Sequence, residues 1–259
     1  MGEARGPSWV GIGAQRSGTT WFTNLLLEHP SMTLAAPSAG RGAERKIPVK
    51  ELHFFDEMLL GLPPDAVDRY QALFEDRLQS GEFTPAYLRY LWVPPMLRVA
   101  APNAVLLALL RDPVDRFESA MRWRLSRQAR RQPNAGVPVG WIREQGGDAV
   151  WAGMYATQLR VWRTALPDHT LLVFQYEAVR AAPQAAVDRV WRALALEPVA
   201  LEGVRARSET STSGSDRALF TVDMQPDLPE VLHATYELEV LQLEEEWGID
   251  VSLWPNFST

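Results

Sequence analysis

Cysteine is absent from this chain of 259 residues, and it has only four histidines. The first absence excludes a disulfide framework, a thiol nucleophile and a thiolate metal site, and so few histidines argue against a histidine-rich metal centre. Lysine is nearly missing too: of 26 basic residues only Lys46 and Lys50 are lysines, and the rest are arginines. With abundant alanine, that bias suggests a GC-rich bacterial genome. No apolar run reaches membrane-spanning length, and the first residues carry no signal-peptide core, so a cytoplasmic chain with no membrane partner is expected. Acid exceeds base, 32 residues against 26 for a net charge of −6, which argues against a general nucleic-acid surface. The 46% hydrophobic and 22% charged content suits one soluble domain, taken as residues 1–259, without internal repeats.

The chain is organised around residues 10–22. Trp9, Val10 and Ile12 make a short apolar run that reads as a buried strand; Gly11 and Gly13 interrupt and end it, and Trp21, Phe22 and Leu25 to Leu27 resume as a helix. Strand, glycine-rich turn and helix aim several N–H groups and a positive helix end at one anion. Gly13 and Gly18 have the spacing of a Walker A loop, but Thr19 stands where that loop carries lysine, Thr20 follows, and the cation has moved into the turn as Arg16. The loop is an anion cradle without the lysine of a kinase.

Further along, residues 31–48 read as a surface loop and residues 49–56 as an unusual mixture of Lys50, Glu51, His53, Phe54, Phe55 and Asp56. A helix is expected from Pro63 to Leu78, a turn over residues 81–87, and a helix opened by Pro94 and Pro95. A buried strand over residues 104–110 runs into Arg111, at the strand end where open α/β sheets bind ligands, and Pro113 opens the next helix. Residues 122–147 read as an irregular, charged, solvated loop. A helix over 153–162, a strand over 170–174, a helix over 185–196, a polar loop over 208–217, a helix over 229–247 and a packed tail follow. Alternating strands and helices imply one α/β domain with a mostly parallel central sheet flanked by helices, a P-loop-like three-layer fold.

Together these stretches resemble the sulfotransferases that use 3′-phosphoadenosine-5′-phosphosulfate (PAPS), in particular bacterial relatives of the heparan/glucosaminyl branch. Gln15, Arg16, Ser17, Gly18, Thr19, Thr20 and Trp21 are similar to that family's 5′-phosphosulfate loop. Arg111 and Ser119 are similar to its 3′-phosphate motif, and Arg217 joins the cofactor set. The run from Lys50 to Asp56 resembles the catalytic segment, in which the glutamate is the general base and the histidine lies beside it. The resemblance implies catalysis by Glu51, His53 and Arg16, acceptor contacts from Lys50, Phe54, Phe83, Tyr87 and Tyr155, PAPS as donor, adenosine-3′,5′-bisphosphate as product, and no metal. Sulfuryl transfer, like phosphoryl transfer, is a loose in-line displacement governed by positioning and electrostatics. Glu51 suits the role of base if Phe54 and Phe55 surround it and keep it poorly solvated. Phe83 stands where glycosaminoglycan enzymes have a lysine facing the acceptor. That favours a less charged small-molecule or natural-product hydroxyl acceptor, the alternative being an amino sugar or glycan. Two other classes stay open: a P-loop small-molecule kinase and a non-catalytic nucleotide-binding protein.

Overall fold

The computed structural model describes residues 6–36, 48–59, 61–74, 78–131, 141–202 and 228–258. Five strands, β1 (Trp9–Gly13), β2 (Met32–Leu34), β3 (Gln79–Phe83), β4 (Val105–Leu110) and β5 (Leu171–Gln175), form one sheet in the order β2-β3-β1-β4-β5. Every pairing is parallel. β1 is central, between β3 and β4, so the strand order switches sides beside it; such a switch opens a crevice at the carboxyl ends of the strands. The helices are α1 (Thr19–Leu26), α2 (Ala66–Gln71), α3 (Val93–Ala100), α4 (Pro113–Arg131), α5 (Trp141–Trp151), α6 (Tyr155–Ala165), α7 (Tyr176–Ala181), α8 (Pro183–Ala193) and α9 (Leu228–Trp247).

Alternation along the central strands divides the core in two. Val10, Ile12, Leu106, Ala108 and Leu110 pack with side chains of α3, α6 and α9 on one face. Trp9, Val105, Leu107 and Leu109 meet Phe22, Leu26, Val187 and Trp191 of α1 and α8 on the other. Both faces of the sheet are thus covered, which is why β4 is apolar throughout. Across the β1–β3 pair the Trp9 indole lies over Gly81, where a Cβ would come within 2.3 Å of it.

Four expectations change. The start of the stretch read as a surface loop, Met32–Leu34, is strand β2, paired in parallel with β3. Gly81, Glu82 and Phe83, read as a turn, lie inside β3, because their buried faces and parallel pairing to β1 outweigh the flanking glycine and proline. Much of residues 122–147 is helical: α4 continues to Arg131 and α5 begins at Trp141, with Phe117, Ala120, Met121 and Leu125 as the buried stripe of α4 beneath its arginines. The helix expected from Pro63 is confined to α2, ending at Gln71. The tail packs as expected, Trp254 being fully buried with its indole N–H donating to Glu177 Oε2 at 2.9 Å. Among the described residues no helix is long and apolar enough to cross a membrane.

Candidate active site

A cleft of about 810 Å³ opens at the carboxyl ends of β1 and β4. Gln15, Arg16, Gly18, Thr19, Thr20 and Trp21 line it from the first loop, whereas Ser17 is fully buried beneath. Gly18 has φ 84°, and a Cβ there would stand 2.6 Å from the Tyr176 ring, so the turn into α1 requires glycine. Among the described residues no side chain caps the first turn of α1, which leaves its N–H groups and positive end for an anion.

Arg111 follows β4 directly, and α4 begins two residues later. Asp112, fully buried, caps that helix by accepting from the Val114 N–H at 2.9 Å and the Asp115 N–H at 3.2 Å. The same carboxylate accepts from Asn256 in the tail, so the C-terminal segment is pinned to the strand end that presents Arg111. Arg111 donates to Asp115 Oδ2 at 2.9 Å and lies over the Tyr176 ring. Ser119, two turns along α4, accepts from Arg16 Nε at 3.2 Å, which joins the two anion-holding stretches. The Arg16 guanidinium is held below its usual pKa, first by burial and then by Arg111 and Arg116 nearby. Three cations therefore crowd one end of the cleft. Among the described residues the buried donors Trp21 Nε1, Arg111 Nε and Arg116 Nε find no acceptor. A polyanion with several phosphate oxygens fits such a donor set.

The segment from Lys50 to Asp56 forms the opposite wall. Lys50 Nζ donates to Glu51 Oε1 at 2.6 Å and to Thr19 Oγ1 at 3.3 Å, which brings an ammonium from across the cleft to the loop that lacks its own lysine. Burial lowers the Lys50 pKa, and Glu51 partly offsets this. His53 has a left-handed backbone, φ 51°, and its ring stands between two carboxylates: Nδ1 meets Asp56 Oδ2 at 2.6 Å and Nε2 meets Glu51 Oε2 at 3.3 Å. Nδ1 thus faces Asp56 and Nε2 faces Glu51, which fixes the ring between the two carboxylates.

This wall is held from behind by Glu82, a residue the sequence did not mark. Its carboxylate, fully buried, accepts from Tyr70 Oη at 2.7 Å, Thr84 Oγ1 at 2.5 Å, Tyr87 Oη at 3.1 Å and the Leu52 N–H at 3.2 Å. Two of those hydroxyls also accept from the wall, Thr84 from the His53 N–H and Tyr87 from the Phe54 N–H. Burial raises the Glu82 pKa, against the pull of its four donors.

Several candidate residues fall elsewhere. The apolar surroundings expected for Glu51 do not form: Phe54 and Phe55 turn away to pack with Tyr70, and Glu51 is left 38% exposed beside Lys50 and His53. Phe83, Tyr87 and Tyr155 are fully buried and do not line the cleft. Phe83 lies under the Lys50 ammonium at 5.4 Å, and Tyr155 donates to the Arg111 carbonyl at 3.1 Å, so both sit one layer behind the cleft wall. Arg217 lies outside the described residues. Around Ser119, which the sequence did mark, the rest of the stripe of α4 facing the cleft was missed, Arg116, Ala120, Trp123, Arg124 and Arg127, although its spacing of three and four is helical.

An anion-holding loop at the central strand of a parallel sheet, faced by a carboxylate–histidine pair, defines a P-loop-like α/β transferase. Within that class the chain belongs to the sulfotransferase family, whose domain model ("Sulfotransferase domain") matches residues 9–207. It is 23% identical over 213 residues to the human bifunctional heparan sulfate N-deacetylase/N-sulfotransferase 2, a match covering 74% of this chain and 22% of that protein. The mouse enzyme 3 of the same name is 24% identical over 209 residues, with the same coverage. The chain thus spans about a fifth of the length of these curated relatives. Among solved structures, a sulfotransferase from Alicyclobacillus acidocaldarius superposes with a TM-score of 0.67 at 22% identity, over 96% of this chain and 98% of that one. The sulfotransferase domain of the Synechococcus PCC 7002 olefin synthase gives 0.51 at 15% identity, over 95% and 96%.

Proposed function

We propose that the chain transfers a sulfuryl group from PAPS to the hydroxyl of a small-molecule acceptor, with Glu51 as general base. The observation that supports this most is the bond from Arg16 Nε to Ser119 Oγ, 3.2 Å, because it unites two phosphate-type cradles in one cleft facing Glu51. When bound, PAPS supplies the sulfuryl group and a leaving bisphosphate. Gly18, Thr19, Thr20 and the first N–H groups of α1 would hold its 5′ end, and Arg111 and Ser119 its 3′-phosphate, where a guanidinium offers a fork that an ammonium lacks. Glu51 takes the acceptor's proton as the hydroxyl oxygen bonds to sulfur; His53, fixed by Asp56, orients that carboxylate and shares the proton. Arg16 and Lys50 supply positive charge where the departing oxygen becomes negative. No metal is assigned a role.

Glu51→Gln preserves the shape and removes the proton acceptor. Turnover should fall by about 10²–10⁴, with affinity for adenosine-3′,5′-bisphosphate within about threefold. His53→Ala should cost less than Glu51→Gln. Steady-state rates on one acceptor decide the assignment: a larger loss at His53 makes the imidazole the base, and a Glu51→Gln enzyme with most of its turnover removes the carboxylate from the role.

A further inference from the structure

We infer that the acceptor carries an anionic group, carboxylate, sulfate or phosphate, held beside Trp123 by Arg127 and Arg124; the inference rests on the sulfotransferase reading of the cleft. Beyond Ser119 the stripe of α4 that lines the cleft continues for two more turns as Trp123, Arg124 and Arg127. Trp123 is 38% exposed, high for an indole lining a cleft. Two guanidinium groups lie over its ring, Arg127 at 4.7 Å and Arg16 at 5.9 Å from the centroid. Trp123 therefore marks the border between the end holding Arg16, Arg111 and Ser119 and a second region lined by Arg124, Arg127, Arg89 and Ala152.

Among the described residues, charge in that second region is unbalanced towards the positive. Arg89 and Arg124 both pair with Asp148, so two cations share one carboxylate. Burial pushes the Asp148 carboxyl up, but the two guanidinium groups outweigh it and hold it below its usual range. Arg127 meets no carboxylate among the described residues; its contact is the indole face. Of the acids lining the cleft, Glu51 is engaged by Lys50 and Asp56 by His53. In a chain of net charge −6, a cleft with surplus arginines opposite the base is matched to an anion. An acceptor entering beside Trp123 would bring its acid to Arg127 and its hydroxyl towards Glu51, and a neutral analogue would leave Arg127 without an anion.

The test uses the full chain saturated with adenosine-3′,5′-bisphosphate, titrated calorimetrically with two matched pairs. One is 4-hydroxybenzoate against 4-hydroxybenzamide, and the other is 4-nitrophenyl β-glucuronide against 4-nitrophenyl β-glucoside. In at least one pair the acid should bind about tenfold more tightly, a preference that added salt reduces. The pair that shows it separates an aromatic from a carbohydrate source of the acid. Arg127→Ala should bring that preference to within about twofold and leave bisphosphate affinity within twofold. No preference in either pair, no binding of either acid, or a preference unchanged by Arg127→Ala overturns the inference while the sulfotransferase reading stands. A loss of bisphosphate affinity in Arg127→Ala would instead assign the stripe to the nucleotide. Failure of the wild-type chain to bind the bisphosphate at all would refute the sulfotransferase reading itself.

Discussion

Replacing Glu82 with alanine tests how the catalytic wall is held. The substitution takes the acceptor from four donors in a fully buried place: the Leu52 N–H and the hydroxyls of Tyr70, Thr84 and Tyr87. The hydroxyls can turn, but the Leu52 N–H has nothing else to meet, and the removed carboxylate leaves a void. Breaking a buried polar network on one side costs ~3–5 kcal/mol, which in a domain of this size lowers Tm by on the order of 10 °C. Glu82→Gln keeps the volume and one acceptor oxygen, and should cost ~1–2 kcal/mol. The two variants also differ in pH dependence. Burial, the main cause, raises the folded-state pKa of Glu82 above its reference of 4.5. Its contribution is therefore complete below the unfolded value and declines as pH rises through the folded one. Wild type should exceed Glu82→Gln most at mildly acidic pH, and the gap should narrow towards alkaline pH. Urea unfolding at several pH values measures both effects, and turnover at fixed temperature reports the wall: kcat should fall in Glu82→Gln while bisphosphate affinity holds. An alanine variant within 1 kcal/mol of wild type, or a gap that widens with pH, would refute the reasoning.

Two further outcomes concern the cradle. Arg111→Ala should lose ~2–4 kcal/mol of affinity for adenosine-3′,5′-bisphosphate and almost none for adenosine-5′-monophosphate, as measured by calorimetry; equal losses would detach Arg111 from the 3′-phosphate. Arg16→Ala should lower kcat more than it raises the donor KM, because the departing oxygen gains its charge in the transition state, and a pure KM effect would leave Arg16 a binding residue.

The stretches that the sequence made legible were those whose chemistry restricts residue type. An anion turn needs Gly18 and hydroxyls at Thr19 and Thr20, and a strand running into Arg111 and Pro113 declares both its end and the next helix. β4 was legible because a parallel strand covered on both faces is apolar throughout. Glu82 was hidden for the opposite reason: a carboxylate between Gly81 and Phe83, close to Pro85, reads as a turn, and only its three-dimensional partners justify it inside β3. Trp123 and Arg127 were obscured by the arginines around them, because local composition suggests solvent where the helical face suggests a cleft. The surroundings of Glu51 were misread because neighbours in sequence were taken as neighbours in space; Phe54 and Phe55 leave it for Tyr70.

The donor set of this cleft suits a 3′-phosphorylated nucleotide rather than a triphosphate with its metal. Calorimetric titration of the wild-type chain with adenosine-3′,5′-bisphosphate, adenosine-5′-monophosphate and magnesium–ATP tests it without knowledge of the acceptor. The bisphosphate should bind at least ~30-fold more tightly than the monophosphate, the worth of roughly 2 kcal/mol of charge-assisted contacts, and more tightly than magnesium–ATP. Magnesium–ATP binding as tightly as the bisphosphate, or a bisphosphate no better than the monophosphate, would contradict it.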